Sequence, residues 1–262
     1  MNRRQFAALL AAGAAPTGAA RALGVPSGPG GSVDPNRPVR IAMLLYPGMT
    51  ALDLVGPQMV LSGLSGGSLH LVAKAHGIVA TDTGLSLVAT SGFDDCPPEL
   101  DVLFVPGGDG TPAQMRDAAT LAFLADRGAR ATWVTSVCTG SLILGAAGLL
   151  RGYRATSHWC VRDAVLPLLG AVALDERVVF DRNRVTAAGI SAGLDLALAL
   201  AARLRGEEYA RTSQLVAEYA PQPPFAAGTP AAAGPATTAR ANAILADLTA
   251  GCRAAAESIA QR

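Results

Sequence analysis

Ala131-Thr132-Trp133-Val134-Thr135-Ser136-Val137-Cys138-Thr139-Gly140 is the stretch that decides how this chain of 262 residues is read. An apolar, β-branched run ends on a cysteine and passes at once to a hydroxyl residue and a glycine. Such a run reads as a buried strand, and the segment after it as the start of a helix. A cysteine at that junction has the outline of a nucleophile elbow. The sharp turn lifts its side chain off the sheet at the carboxyl edge, where open α/β sheets bind ligands. The N–H groups and dipole of the following helix favour thiolate over thiol, so a lowered Cys138 pKa is expected. An isolated cysteine would equally serve as a buried structural residue. The strand-turn-helix setting favours the reactive reading.

Working outward, strand and helix patterns alternate from residue 39 onward. Asp101-Val102-Leu103-Phe104-Val105 is a second buried run, stopped by Pro106-Gly107-Gly108-Asp109-Gly110. Residues 39–45 form another, ended by Pro47-Gly48, after which Thr50 is placed to cap a helix with Leu52, Val55, Met59 and Val60 at helical spacing. Residues 69–73 and 85–89 read as further strands, and 112–130 as one helix. Downstream come a helix near 161–169 and a hairpin over 177–187 turning at Asp181-Arg182-Asn183. Helices near 194–204 and 207–219 precede a proline-rich stretch, 221–235, and a polar-faced helix around 240–259. Buried strands followed by helices indicate βαβ units, an α/β class with a mostly parallel sheet and helices on both faces.

Composition narrows the function. Half the residues are hydrophobic and only 5% aromatic, enough aliphatic material for one sizeable core. The formal net charge of +1 gives no basic stripe for nucleic acid and no polybasic membrane anchor. The cysteines at 96, 138, 160 and 252 form no CxxC pair, and His70, His76 and His158 are too scattered for zinc-ligand spacing. Neither a metal nor a cofactor is expected. A core this large does not call for a disulfide framework.

The N-terminus reads as an address. Met1-Asn2-Arg3-Arg4-Gln5-Phe6, a small apolar run over 7–15 and Ala20-Arg21-Ala22 have the three parts of a signal peptide, of the twin-arginine type. The apolar run is half the length a bilayer span needs. Residues 1–22 are thus expected to engage the twin-arginine export machinery, leaving no stable membrane anchor, and the protein is expected to be periplasmic or secreted. Residues 23–38, rich in Gly, Pro and Ser, read as a flexible leader.

Two further strand ends carry candidate chemistry. Glycines 107 and 108 permit main-chain N–H groups to turn toward a ligand as part of an oxyanion-type cradle, although a simple turn uses the same residues. Asp53, set between Leu52 and Leu54, is either a stabiliser of its helix N-terminus or an acid/base poised by desolvation.

Several motifs occur in order: Leu52-Asp53-Leu54-Val55-Gly56-Pro57, Pro106-Gly107-Gly108, Val134-Thr135-Ser136-Val137-Cys138-Thr139-Gly140-Ser141, Leu144-Gly145-Ala146-Ala147-Gly148-Leu149-Leu150 and Arg154-Ala155-Thr156-Ser157-His158-Trp159. This series resembles the ThiJ/PfpI branch of the class I glutamine-amidotransferase-like superfamily. Gly189-Ile190-Ser191-Ala192-Gly193-Leu194-Asp195 and Glu218-Tyr219-Ala220-Pro221 extend the resemblance toward isonitrile hydratases. It covers residues 39–230 and implies a flavodoxin-like doubly wound domain, with 231–262 as a C-terminal extension. It also implies that Cys138 attacks the isonitrile carbon, that Asp53 serves as acid and base, and that Thr139 shapes the site. Ile190 is placed to line the substrate pocket. The residue after the nucleophile is Thr139 rather than the histidine of PfpI-type peptidases, which disfavours proteolysis. His158 lies where amidotransferases carry a partner histidine, but the acid expected two residues on is Cys160, so His158 reads as structural unless it reacts directly. Asp195 reads as a cap or interface residue.

Rival readings are a glyoxalase- or deglycase-like enzyme on reactive carbonyls, whose usual acid is Glu, and a redox or ligand sensor. The short Ala/Pro-rich tail leaves no pair of helix-turn-helix DNA readers. Phe225, on the extended 221–230 stretch, needs a surface to cover, and a homodimer is expected.

Overall fold

A computed structural model describes residues 37–64 and 66–261. The expected signal peptide, residues 1–22, and all but the last two residues of the leader lie outside the described residues. In chain order the elements are β1 (Arg40–Leu44), α1 (Ala51–Leu61), β2 (Ser68–Val72), β3 (Gly77–Ala80), β4 (Ser86–Ala89), β5 (Val102–Val105), α2 (Thr111–Gln114), α3 (Ala118–Arg130), β6 (Trp133–Val137) and α4 (Gly140–Ala146). There follow β7 (Arg154–Ala155), α5 (Trp159–Arg162), a 3-10 turn (Leu166–Leu169), β8 (Val172–Ala173), β9 (Val178–Asp181), β10 (Arg184–Ala187), α6 (Ala192–Arg205), α7 (Glu207–Val216), α8 (Pro230–Ala233), α9 (Pro235–Ile244) and α10 (Ala246–Ala260).

The main sheet has six strands in the order β2-β1-β5-β6-β10-β9, parallel throughout except for β9, which pairs antiparallel with β10. β5 is buried at all four positions and β6 at four of five, as strands covered on both faces must be. α1 packs across α6, while α3, α4 and α10 pack together as a separate layer. This is the doubly wound arrangement expected. The chain steps outward from β1 to β2 and then returns to the other side of β1 as β5, so the strand order reverses between β1 and β5. The carboxyl-end crevice at such a reversal is where open α/β sheets bind ligands.

Several local expectations need correction. The helix read over 112–130 is two, because the Asp117 side chain accepts from the Thr120 N–H (2.8 Å) and starts α3 afresh. The helix near 161–169 is one turn, α5, and a separate 3-10 turn beginning just before Pro167, whose missing N–H cannot continue a helix. β3 was not anticipated: it is four residues long and exposes Gly77, Ile78 and Ala80. The C-terminal helix is two, α9 and α10. The latter is not merely polar-faced, since it buries Cys252, Ala255 and Ala256 in the core. Thr50 stands at the N-cap of α1, but its hydroxyl makes no cap and donates instead to Asp82.

Candidate active site

The ends of β1, β5 and β6 converge on one point. Cys138 follows β6 directly and adopts φ 57°, a left-handed conformation that costs a non-glycine residue roughly 1–2 kcal/mol. Both sides of the residue are held. Its N–H donates to the carbonyls of Ala187 and Ala188 (3.1 Å each), and its carbonyl accepts from the hydroxyls of Ser157 (3.0 Å) and Ser141 (3.3 Å). The elbow is therefore strained and over-determined, as functional turns are.

The β5 loop closes against it. A Cβ on Gly107 would lie 2.5 Å from the Thr139 nitrogen and 2.9 Å from Cys138 Cβ, so only glycine allows this approach. The Gly107 N–H donates to Asp53 Oδ2 (2.9 Å), and the Gly108 N–H donates to the Thr139 hydroxyl (3.0 Å). The cradle of free amides expected at these glycines is thus engaged from within: they fix the acid and the threonine instead of facing a ligand. The amides directed at the Cys138 sulfur are those of Thr139 and Ile190.

Asp53 is fully buried on the first turn of α1, beside the Cys138 thiol. Burial raises its pKa to about 7. The Gly107 amide and the Cys138 thiol oppose that rise, and the charge of Asp82 adds to it. The second carboxyl oxygen, Oδ1, is buried and has no hydrogen-bond partner among the described residues. A buried oxygen left unpaired is the atom available to carry a proton or meet a substrate.

The Cys138 thiol departs from expectation. Its pKa is raised well above the ordinary value, first by burial and then by the Asp53 charge, while the amides of Thr139 and Ile190 pull the other way. The following helix has seven residues, and its dipole does not offset complete burial beside a carboxylate. Thiol and carboxyl therefore behave as one unit that holds a proton near neutral pH.

The other expected residues fall around this pair. The Thr139 hydroxyl is 2.7 Å from that of Thr111, which is 3.4 Å from the Tyr46 hydroxyl, itself donating to the Pro106 carbonyl (2.8 Å). Ile190 adopts φ 32° and is 39% exposed, so it stands on the rim of the site with its amide turned in. His158 makes no hydrogen bond to Cys138 or Asp53. Its Nδ1 accepts from the Cys160 N–H (3.4 Å) and lies 3.0 Å from Cys160 Sγ, and burial lowers its pKa. Its ring sits under Gly189, where a Cβ would lie 2.2 Å from His158 Cδ2. Asp195 does not cap α6; it pairs with Arg177 (2.5 Å) and accepts from the Tyr219 hydroxyl. All four cysteines are free. Among the described residues, no group of His, Cys, Asp or Glu could hold a metal ion, and no helix is long and apolar enough to cross a membrane.

Sequence reasoning missed Tyr46, Thr111 and Ser157. Tyr46 and Thr111 each adjoin a Pro-Gly or Gly-rich strand end, and Ser157 lies inside a quoted motif. Position at a carboxyl strand end was the signal that could have marked the first two.

A cysteine elbow after the fourth strand of a doubly wound sheet, braced by a Pro-Gly-Gly loop and facing a carboxyl from the first helix, defines a class of protein. The chain belongs to the DJ-1/PfpI family, whose profile matches residues 39–203. Among its relatives is the isonitrile hydratase of Pseudomonas putida, 51% identical over 192 residues, which are 73% of this chain and 83% of that protein. A crystal structure of a ThiJ/PfpI family protein from Pseudomonas syringae is 50% identical, with a TM-score of 0.80 over 88% of this chain and 94% of that one. The HTH-type transcriptional regulator GbdR of Pseudomonas aeruginosa is 33% identical over 69% of this chain, but the match spans only 50% of the regulator.

Proposed function

We propose that this chain is an isonitrile hydratase, converting R–N≡C and water to an N-substituted formamide, with Cys138 as nucleophile and Asp53 as the proton shuttle. The observation that carries the reading is the buried thiol–carboxyl pair with an unpaired Asp53 Oδ1. It is supported by the 51% identity to the Pseudomonas putida enzyme.

An isonitrile carbon is electrophilic toward a soft nucleophile and basic once attacked, so the reaction needs a thiol and a mobile proton in the same place. The sulfur bonds to the terminal carbon as its proton passes through Asp53 to that carbon, giving the thioimidate R–N=CH–S. The Thr139 and Ile190 amides steady the charge on sulfur during the transfer. Asp53, now a carboxylate, takes a proton from water as the oxygen adds to the same carbon, and passes that proton to the nitrogen. Collapse of the tetrahedral adduct breaks the C–S bond, releases R–NH–CHO and returns the hydroxyl proton to the pair. A carboxyl with a pKa of about 7 suits both directions of transfer at neutral pH.

We also infer that Arg3-Arg4 and Ala20-Arg21-Ala22 direct twin-arginine export, with the mature chain beginning near Leu23. We infer further that the protein is a homodimer. Replacing both Arg3 and Arg4 by Lys is expected to retain it in the cytoplasm, and periplasmic protein that still begins at Met1 would exclude cleavage.

The decisive assay offers the purified protein small alkyl isonitriles, with glyoxals in parallel, and follows formamide by NMR. Formamide production that is abolished in Cys138→Ala, with a thioimidate trapped by rapid quench on the Cys138 peptide, is the expected result. Glyoxal consumption without isonitrile turnover would replace the reading with carbonyl chemistry.

A further inference from the structure

Asp82 lies outside the reacting pair, on the turn between β3 and β4, yet a short set of hydrogen bonds ties it to that pair. The Thr50 hydroxyl donates to Asp82 Oδ2. The Thr50 N–H donates to the Gly107 carbonyl (2.8 Å), and the Thr50 carbonyl accepts from the Asp53 N–H (3.2 Å). Gly107 in turn donates its own N–H to Asp53. Two backbone bonds pin the hairpin in place: Asp82 N–H to the Met49 carbonyl (3.0 Å) and Gly48 N–H to the Ala80 carbonyl (2.9 Å). An N-cap threonine ordinarily turns its hydroxyl to the helix amides. Here it holds an exposed carboxylate against the turn of α1 that carries Asp53. Asp82 forms no ion pair among the described residues, so its charge is not cancelled by a fixed cation.

Among the described residues, the groups around Asp53 leave Asp82 as the only other carboxylate acting on it. The elbow contributes the Cys138 thiol, the β1 end contributes Tyr46, whose phenol is also buried, and the β5 loop contributes the Gly107 amide. α6, packed across α1, brings Asp195, which is engaged by Arg177 and Tyr219.

We propose that Asp82 is a positioning residue for the hydration chemistry, its negative charge helping to keep a proton resident on Asp53 at neutral pH. The role rests on the proposed reaction, which needs that proton for the isonitrile carbon. A negative charge beside an ionisable group opposes loss of its proton, and the charge of Asp82 works in the same direction as burial. Because Asp82 is exposed, its influence is reduced by salt, whereas the effect of burial is not.

The test follows the full-length protein with two readouts against pH: kcat/KM for an alkyl isonitrile, and the rate at which iodoacetamide alkylates Cys138, measured by mass spectrometry on its peptide. Asp82→Asn keeps an acceptor for Thr50 and removes only the charge; Asp82→Ala removes both. In Asp82→Asn both inflections are expected to move to lower pH by roughly 0.3–0.5 unit, the size of one exposed charge several ångströms away. Salt at about 1 M is expected to move wild type the same way and to leave Asp82→Asn nearly unmoved. Curves for Asp82→Asn that overlay wild type would overturn the proposal, as would a shift in Asp82→Ala alone, which would mean a hydrogen bond and not a charge. If wild type fails to turn over any isonitrile, the functional reading falls while the alkylation curves still decide the role of Asp82.

Discussion

The elbow corner and the segment after α7 are built in opposite ways. Around Cys138 the backbone is closed on itself: Thr139, Gly140, Ser141, Thr111 and Asp53 are buried, and the amides of Gly107, Gly108 and Cys138 all have partners in the same corner. From residue 214 to residue 251 no residue is buried at all, and Leu215, Phe225 and Ile244 are each at least 78% exposed. Yet the segment is held by individual polar contacts, with Tyr219 on Asp195 of α6 and the Thr229 side chain capping α8. The first region draws its shape from the core of its own chain. The second carries apolar side chains for which the described residues of one copy supply no surface, and that is the basis for the proposed homodimer.

The sharpest way to break this contrast is inside the corner. Asp53→Asn keeps the shape but cannot pass a proton, and turnover is expected to fall by a factor on the order of 10² to 10⁴. The same change should stabilise the fold, with a definite pH dependence. The folded Asp53 pKa of about 7 exceeds the ordinary 3.8, so between these values the folded state binds more protons than the unfolded one. Stability contributed at this position is therefore lost as pH rises from about 4 to about 7. Thermal melts should show Asp53→Asn above wild type by about 1–4 kcal/mol at pH 8, with the gain vanishing near pH 4. A gain over wild type no larger at pH 8 than at pH 4 would mean that the carboxyl is not desolvated as described.

A milder intrusion is Gly189→Ala. The added Cβ meets the His158 ring and should lift the Ile190 amide from the Cys138 sulfur, lowering kcat by about tenfold while the protein stays folded. Removing the ring with His158→Ala in the same chain should restore much of the loss. If the double variant is worse than Gly189→Ala alone, His158 has a role of its own in the chemistry. In the exposed region the smallest effect is expected. Phe225→Asp should leave kcat/KM unchanged and weaken self-association by about tenfold or more, read by light scattering across a dilution series. A monomer at micromolar concentration in wild type would remove the dimer altogether.

What was legible in the sequence follows the same division. The strand ends at Pro47-Gly48, Pro106-Gly107-Gly108 and Cys138-Thr139-Gly140 were readable because a buried strand followed by a turn leaves both a hydrophobic run and a breaker. Their convergence on Asp53 came from the family resemblance. What the glycine amides do was not readable: whether an N–H faces a ligand or a neighbouring side chain depends on a φ such as the 135° of Gly108, which composition does not encode. The direction of the Cys138 shift was missed for a related reason, since a dipole is visible as a strand-helix junction whereas complete burial beside a carboxylate is a tertiary fact. The breaks at Asp117 and Leu245 were lost because helix-forming sequence continues on both sides of them, and the strand Gly77–Ala80 because four mostly exposed residues are too few for a period to show.

The parallel order of the sheet has a consequence for the history of each molecule. Asp53, on the first turn of α1, and Gly107, Cys138 and Ile190, after three different strands, lie as much as 137 residues apart (190 − 53), so none of their contacts is local. Contacts of such long sequence separation form late, when the sheet closes. A chain still emerging from synthesis, or one partly unravelled, carries Cys138 as an ordinary thiol on a mobile strand, with no acid beside it and no amides on its sulfur. Protection of the thiol is then itself a report on completed folding. A general alkylating reagent would pass slowly over the assembled pair and mark quickly each molecule whose sheet has not closed or has opened.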